Sequence, residues 1–160
     1  MHFCIGSDFG VTGEDVRVGN CKYLLNQQTL STDAKWIRPY MRRADITKDD
    51  EFLLSEVFER IYNIHSMIED KKIAKRIYAR THMISIVPII ADSINEGYSD
   101  KQMMEWFVSF FSGKKSATTS KAYNDAAGRG TGKNSAVMKR VEEIKKDYDK
   151  YFGNVETLAS

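Results

Sequence analysis

The chain has 160 residues, of which 42% are apolar, and a net charge of +2. This length fits one ordinary domain and this composition supports a core, which argues against a wholly disordered chain. No run approaches the roughly 18 apolar residues of a membrane span, and residues 1–6 lack the basic start and apolar stretch of a signal peptide. We therefore predict no membrane partner and a cytoplasmic location.

The residues able to carry chemistry form no recognisable catalytic or metal pattern. Cys4 and Cys21 have no CxxC or Cys/His ligand spacing, so they are predicted to be reduced thiols. His2, His65 and His82 are too dispersed for a zinc-hydrolase pattern. His65 and His82 fit structural, hydrogen-bonded histidines better than catalytic ones. The sequence thus predicts no catalytic residue, no metal and no cofactor.

The first part of the chain differs in character from the rest. Residues 1–46 contain four glycines and scattered apolar residues without a sustained period. We predict a loop-rich N-terminal segment that packs on the domain that follows, with Trp36 and its neighbours around Pro39 making the contact. A helical domain is predicted over 47–153, followed by a short tail over 154–160.

Helical periodicity begins at Thr47, which is a predicted N-cap with a carboxylate three positions later. Apolar residues then recur at spacings of three and four and predict a helix over 48–69. A second helix is predicted over 71–96, ended by Gly97. Pro88 lies inside it and is expected to kink or split it, because proline removes a backbone hydrogen bond.

Two further helices are predicted. Ser99 and Gln102 form a capping box, and Gly113 supplies a stop. The helix between them is apolar over most of its circumference and should lie at the centre of the core, through Met103, Met104, Trp106, Phe107, Phe110 and Phe111. A last amphipathic helix is predicted over 135–152, closed by Gly153. No long segment alternates with period two, so the predicted fold is all-α, an irregular bundle of four to six helices.

The glycine-rich stretch over 126–135 is similar to a phosphate-binding P-loop but fails its pattern. Ala127 stands where the first glycine belongs, and Asn134 stands where a P-loop has the Ser or Thr that binds magnesium. What remains is a basic loop that leads into a helix start, an arrangement that suits an anion and specifies no reaction.

Charge is segregated along the chain. Residues 47–70 carry two basic and seven acidic side chains, residues 71–80 five basic and none acidic, and residues 114–133 five basic and one acidic. The loop is the predicted nucleic-acid or phosphate contact, through Lys114, Lys115, Lys121, Arg129, Lys133, Asn134 and Ser135. A secondary basic stripe is formed by Lys72, Lys75, Arg76 and Arg80. About half of this stripe is expected to pair internally with the preceding acidic helix, through Glu56, Glu59 and Asp70.

Three strings carry a resemblance to a known family. They are Phe-Cys-Ile-Gly-Ser-Asp-Phe at 3–9, Arg-Thr-His-Met-Ile-Ser-Ile-Val-Pro-Ile-Ile-Ala at 80–91, and Phe-Phe-Ser-Gly-Lys at 110–114 leading to Tyr-Asn-Asp-Ala-Ala-Gly at 123–128. Together they resemble the C-terminal helical half of GmrSD-type bacterial proteins, whose N-terminal half is a ParB-like nuclease domain and which are associated with restriction of modified phage DNA. The resemblance implies DNA and a ParB-like nuclease domain or subunit as partners.

The chain also departs from that family. The Asp-Gly-Gln-Gln-Arg motif of the ParB-like domain is absent from the sequence, and Asn-Gln-Gln-Thr at 26–29 is only a superficial echo. No catalytic residue is therefore carried over, and any nuclease activity would belong to a ParB-like domain outside this chain. We expect a fragment, a truncated product or a free-standing relative of the non-catalytic half.

Three functions compete on these observations. The first is a non-catalytic helical accessory module of a DNA-targeting restriction or phage-defence protein, which contacts nucleic acid or a catalytic partner through the basic loop. The second is a helical protein-interaction or regulatory module without nucleic-acid binding. The third, a degenerate NTPase that uses residues 128–135, is disfavoured by the failed P-loop pattern.

Overall fold

A computed structural model describes residues 47–113, 117–128 and 133–159, with side chains described as far as Gly153. Within these ranges the chain forms six helices: α1 (Lys48–Met67), α2 (Lys71–Ile77), α3 (Arg80–Asn95), α4 (Asp100–Phe110), α5 (Lys121–Ala126) and α6 (Asn134–Ala159). The described part of the chain has no β-strand. The predicted all-α class is therefore confirmed, while the N-terminal segment 1–46 lies outside the described residues.

Helix α1 begins where the sequence predicted it. The Thr47 hydroxyl accepts a hydrogen bond from the Asp50 amide at 3.2 Å, and the Asp50 carboxylate accepts one from the Thr47 amide at 2.8 Å. This capping box satisfies amides that have no partner inside the helix. The inward side of the helix consists of Leu54, Val57, Ile61 and Ile64.

The second predicted helix is two helices, and its break is not at the proline. The backbone leaves the helical conformation at Ala79, where φ is −66° and ψ is 130°, whereas α3 continues past Pro88. A helix-interior proline costs about 3 kcal/mol. Every residue over 84–91 is buried, and each large aliphatic side chain buried there contributes about 1.5–3 kcal/mol. Packing therefore outweighs the cost of the proline, so a split at Pro88 was wrong, whereas a kink there stays a prediction.

Gly97 ends α3 as predicted. Its φ of +77° lies in the left-handed region, which glycine adopts without the steric cost of a Cβ. The Gly97 amide donates to the Ile94 carbonyl at 3.2 Å, and the Tyr98 amide donates to the Ser93 carbonyl at 3.1 Å. These two bonds form a Schellman motif, which satisfies carbonyls at the end of the helix.

Helix α4 packs one side into the core, but its other side is exposed at Lys101, Gln102, Glu105 and Ser109, so the predicted position at the centre of the core is wrong. It begins at the expected capping box, in which Ser99 and Gln102 exchange hydrogen bonds of 2.9 and 3.3 Å. Its large side chains are almost fully buried: Met103, Trp106, Phe107, Phe110 and the C-cap residue Phe111.

Gly113 does not stop α4, which corrects the prediction. The helix ends at Phe110, and Gly113 instead pairs with Ala117 in an isolated antiparallel bridge. A Cβ at Gly113 would overlap the backbone of Thr118. The glycine is needed because two stretches of backbone approach each other there.

Two other helix boundaries differ from the prediction. Part of the loop predicted over 114–133 is helical, because α5 occupies Lys121–Ala126 with Ser120 as its N-cap. The last helix was expected to end at Gly153 but continues to Ala159. Gly153 has no φ in the left-handed region and no nearby atom that requires a glycine, so it is an ordinary helical position.

Helices α3 and α6 run parallel, which sets the geometry of the site. Ile84 packs with Val137 near the starts of the two helices, and Lys145 reaches Asp92 at 3.0 Å further along both. Helix α4 runs in the opposite direction, with Trp106 against Tyr148 of α6 and its C-cap residue Phe111 against His82 of α3. The N-termini of α3 and α6 therefore lie at the same end of the bundle.

Candidate nucleic-acid interface

We call the end at which α3 and α6 begin the basic end. Each helix N-terminus carries a partial positive charge, so two parallel helices that begin together add their dipoles there. Four cationic side chains lie at this end, Arg76, Arg80, Lys133 and Arg140, and Lys72 and Lys75 are counted with them because they share the exposed side of α2 with Arg76. The opposite end, where α3 finishes, is called the acidic end and carries Asp92, Glu96, Asp147 and Asp149.

Arg76 joins the two basic segments of the sequence. One terminal nitrogen of its guanidinium donates to the Phe111 carbonyl and to the Ala117 carbonyl, both at 2.7 Å. These carbonyls flank the short stretch that contains Lys114 and Lys115. Helix α2 and the first part of the predicted basic loop are therefore neighbours, although the basic residues themselves are about 40 positions apart.

Asn124 fixes the fold of the chain after this stretch. Its side-chain oxygen accepts from the Thr118 amide at 2.8 Å, and its side-chain nitrogen donates to the Thr118 carbonyl at 2.9 Å. The Thr119 amide also donates to the Phe110 carbonyl at 2.9 Å. A side-chain amide that pairs with both backbone groups of one residue replaces a strand neighbour. The segment is thereby held closely against the end of α4.

A hydrogen-bonded cluster of polar side chains lies beneath this segment. Nδ1 of His82 is 3.0 Å from the Tyr123 hydroxyl, which is 2.8 Å from the Ser85 hydroxyl. The Ser85 hydroxyl donates in turn to the His82 carbonyl at 3.0 Å. If Nδ1 carries the proton, it donates to the Tyr123 hydroxyl, which donates to the Ser85 hydroxyl, which donates to the His82 carbonyl. Every polar hydrogen of this network then has an acceptor. Satisfied networks of this kind are tolerated in a core.

Burial and neighbouring cations keep this cluster neutral. Burial, together with the charges of Arg140 and Arg76, lowers the pKa of His82 to about 4. Burial also raises the pKa of Tyr123 to about 12. The imidazole is therefore uncharged at pH 7. This neutral imidazole, hydrogen-bonded within the core, agrees with the structural role predicted for His82.

Arg140 is the buried cation of the basic end. Its side chain is fully enclosed on α6 and donates to the Ala126 carbonyl at 2.8 Å. Burial lowers its pKa, and Tyr123 opposes this shift. A guanidinium remains charged in proteins. It therefore contributes a fixed positive charge beneath helix α5.

The predicted contact residues of the loop are placed only in part. Lys133, Asn134 and Ser135 are exposed at the start of α6. Lys121 projects into solvent from α5 but forms an i,i+4 ion pair with Asp125 at 2.8 Å, so its charge is partly neutralised. Three predicted residues lie outside the described part of the chain: Lys114, Lys115 and Arg129.

The predicted basic stripe is divided between two helices. Lys72 and Lys75 are exposed on α2, on the same side as Arg76, whereas Arg80 is exposed at the first position of α3, beyond the break. Within the described residues no ion pair joins this stripe to Glu56 or Glu59, so that part of the expected pairing is wrong. Burial lowers the pKa of Arg76 and the charge of Asp70 opposes this shift, so Arg76 still interacts with Asp70.

Arg76 donates its hydrogen bonds to the backbone carbonyls of Phe111 and Ala117 instead of to carboxylates. Asp70 serves as the N-cap of α2 and accepts from the Lys72 amide at 2.7 Å. Lys72, Lys75 and Arg80 take part in no ion pair within the described ranges. Lysines on α6 differ, because Lys139 and Lys146 each bind Glu142 and Glu143.

Sequence reasoning missed Tyr123, Asn124 and Arg140 as parts of this end. One signal was available for Arg140, which lies on the edge of the buried stripe of α6, three residues after Val137 and four before Ile144. A charged residue on a buried stripe indicates a buried ionic or hydrogen-bonded group. No comparable signal marks Tyr123, whose partners His82 and Ser85 are about 40 positions away.

Comparisons with family models, with curated proteins and with solved structures found no match for this chain. None of the described helices is both long and apolar enough to cross a membrane. Within the described ranges, no group of three or more His, Cys, Asp or Glu side chains is placed to hold a metal ion.

Proposed function

We propose that this protein binds the phosphate backbone of nucleic acid at its basic end. The observation that carries the proposal is the pair of hydrogen bonds from Arg76 to Phe111 and Ala117, which places two basic segments side by side. Contacts to phosphate supply most of the affinity in sequence-independent recognition of nucleic acid, and lysine and arginine are the usual donors.

The exposed lysines of the basic end support this assignment. Lys72, Lys75 and Lys133 are exposed and take part in no ion pair within the described part of the chain. Lysines elsewhere on the surface, such as Lys146, are neutralised by glutamates one helical turn away. A lysine without a carboxylate neighbour loses less on meeting a phosphate, because it does not have to give up an existing partner.

With the resemblance to GmrSD-type proteins, the finer proposal is a non-catalytic accessory module of a bacterial DNA-targeting protein, in restriction or phage defence. A ParB-like nuclease domain or subunit is its proposed catalytic partner. The proposed site of action is the cytoplasm, where Cys4 and Cys21 stay reduced. Its role would be to hold DNA while the partner supplies the chemistry.

The test measures the salt dependence of binding to a labelled DNA duplex by fluorescence anisotropy, with the full chain. Lys72→Ala combined with Lys75→Ala removes two phosphate contacts. The slope of log affinity against log salt should fall by about 1.8, which is about 0.9 for each contact. A matched control replaces Lys139 and Lys146 by Ala, which removes the same charge from paired lysines and should leave the slope nearly unchanged.

An equal fall of the slope of log affinity against log salt in both double variants would show that only net charge matters. It would overturn the assignment to the basic end. Absence of duplex binding by the parent at low salt would favour the protein-interaction alternative. A second variant, Arg129→Ala with Lys133→Ala, tests the loop and predicts a similar reduction of about 1.8. Hydrolysis of ATP with magnesium that Lys133→Ala abolishes would instead support the NTPase alternative.

A further inference from the structure

The solvent-facing side of α2 joins an aromatic edge to a basic one. The helix buries Ile73, Ala74 and Ile77. At about 3.6 residues per turn, the positions across its other side follow in the order Tyr78, Lys71, Lys75, Lys72 and Arg76. The C-cap residue Tyr78 belongs to this series because its backbone stays helical, with φ −85° and ψ −1°. A row of lysines therefore lies between a tyrosine at one edge and Arg76 at the other.

The aromatic edge is shared with α1. The ring of Tyr78 lies 4.5 Å from the ring of His65, measured between centroids, with the planes inclined by 59°. Tyr62 precedes His65 by one helical turn and is 64% exposed. Burial raises the pKa of Tyr78, and the hydroxyl of Tyr62 raises it in the same direction. The two tyrosines are therefore neighbours, although they belong to different helices.

The hydroxyls of these tyrosines differ from those of the buried tyrosines. Tyr123 and Tyr148 use their hydroxyls in hydrogen bonds to Ser85 and Glu96. Within the described residues, the hydroxyls of Tyr62 and Tyr78 make no hydrogen bond. Their rings are thus held at the surface without a polar contact that a ligand would have to break.

The lysines next to this pair are also unoccupied by partners. Lys71 and Lys75 are exposed, and neither forms an ion pair with another described residue. Along the helix axis, Lys75 lies about 6 Å from Lys71 and about 4.5 Å from Tyr78. Each nucleotide of a single strand presents a phosphate and a separate base, so adjacent cations and aromatic rings match both of its parts.

We propose that Tyr62 and Tyr78 stack on unpaired bases of single-stranded DNA whose phosphates bind Lys71 and Lys75. This inference rests on the proposed binding of nucleic acid at the basic end and specifies the form of the nucleic acid. Proteins that bind single strands combine a positively charged track with aromatic side chains on which bases stack. A duplex also brings phosphates to the lysines, but its base faces are stacked inside it and do not reach the tyrosines.

Glu59 limits the site on the side of α1. It lies three residues before Tyr62 and His65 lies three residues after it, so the two flank Tyr62 on opposite sides of the helix. Glu59 is exposed and has no ion-pair partner among the described residues, and its charge repels phosphate. The backbone of a bound strand is therefore expected on the lysine side, with its bases on the tyrosine side.

The test measures the affinity of the full chain for labelled oligothymidine of about 12 nucleotides, and for the same strand paired with oligoadenosine, by fluorescence anisotropy. Tyr62→Ala should weaken binding of the single strand about 5- to 150-fold, the range for one stacked base, and leave duplex binding unchanged. Tyr62→Phe keeps the ring and should keep the affinity. Phe52→Ala is the matched control, because it removes another exposed aromatic side chain from α1, away from the lysines.

Salt dependence separates the two kinds of contact. Stacking releases no counterions, so Tyr62→Ala should lower single-strand affinity by the same factor at every salt concentration. Lys71→Ala with Lys75→Ala should instead lower the slope of log affinity against log salt by about 1.4, which is about 0.7 for each contact to a single strand. Melting curves followed by circular dichroism check that each variant remains folded, as expected for exposed positions.

The failure of this inference is distinguishable from the failure of the proposed function. Duplex binding that depends on Lys72 and Lys75, with a single-strand affinity that Tyr62→Ala leaves unchanged, would overturn the stacking and leave the proposed function standing. Absence of binding to either form of DNA would overturn both. An equal loss of single-strand affinity in Tyr62→Phe and Tyr62→Ala, or in Phe52→Ala and Tyr62→Ala, would also overturn the assignment of stacking to Tyr62.

Discussion

The basic and acidic ends of the α3 and α6 pair place their polar groups at different depths. At the basic end, the His82, Ser85 and Tyr123 side chains bond to one another inside the protein, next to the enclosed Arg140. At the acidic end the interior is aromatic, and the polar atoms of Trp106 and Tyr148 reach carboxylates at the rim. The polar groups of the basic end therefore depend on hydrogen-bond partners inside the protein, whereas those of the acidic end can bond to water.

Distances at the acidic end show this arrangement. The indole nitrogen of Trp106 donates to Asp147 at 2.9 Å, and the Tyr148 hydroxyl donates to Glu96 at 2.6 Å. Lys145 lies 3.0 Å from Asp92 on the same rim, and the side chains of both residues are more than one third exposed. Groups of this kind can exchange a lost partner for water at little cost. The hydrogen bonds of the two ends should therefore not be equally sensitive to substitution.

The largest expected effect is on the aromatic interior of the acidic end. Trp106→Ala should lower the free energy of unfolding by about 3–5 kcal/mol, because it leaves a large cavity among Phe107, Phe110 and Tyr148. Urea titration followed by circular dichroism measures this loss. Met138→Ala is the control, since this exposed side chain should cost less than about 0.5 kcal/mol. Equal losses in the two variants would contradict the complete burial of Trp106.

The second prediction concerns pH and the basic end. The pKa of His82 is about 4 in the folded state and about 6.5 when unfolded, so the unfolded chain binds more protons between these values. Stability from this group is complete above pH 6.5 and is lost as pH falls toward 4, up to an order of 3 kcal/mol.

The measurement is urea unfolding of the parent and of His82→Gln between pH 7 and 5. Glutamine has no titrating group but can still bond to Tyr123, so the variant should lose less stability over this interval than the parent. Parallel curves for the two proteins would show that His82 does not titrate differently on folding, and would remove the evidence that the buried cluster is held neutral.

Local sequence signals predicted the helices whose boundaries depend on neighbouring residues. The capping boxes at Thr47 and Ser99 and the glycine at Gly97 lie where the sequence placed them, because their partners are three or four positions away. The end predicted at Gly153 and a split at Pro88 were both wrong, because each residue remains helical.

The candidate interface was predictable only as two separate basic segments. Their charge could be counted along the sequence, and the start of the last helix after Lys133 was expected. Their contact through Arg76 could not be predicted, since its acceptors are backbone carbonyls that any residue type would supply. The cluster around Tyr123 was missed for a related reason, because a tyrosine hydroxyl has no preferred partner in the sequence.

The smallest predicted effect compares one tyrosine at each end. Tyr148→Phe removes a hydroxyl whose partner Glu96 has a side chain 44% exposed, so water can replace the lost bond. This variant should lose about 0.5–1.5 kcal/mol, the usual net value of one hydrogen bond. Tyr123→Phe removes the same atom from the basic end but leaves the fully buried Ser85 and the partly buried His82 without their hydroxyl partner. Because buried polar groups without partners cost about 1–3 kcal/mol, Tyr123→Phe should lose about 1 kcal/mol more than Tyr148→Phe.

Urea unfolding of the two variants at pH 7 measures the difference, and a Ser85→Ala background supplies the control, since removal of one acceptor should reduce the cost of Tyr123→Phe. Equal losses in both variants would show that the polar interior of the basic end is as accessible to water as the rim of the acidic end.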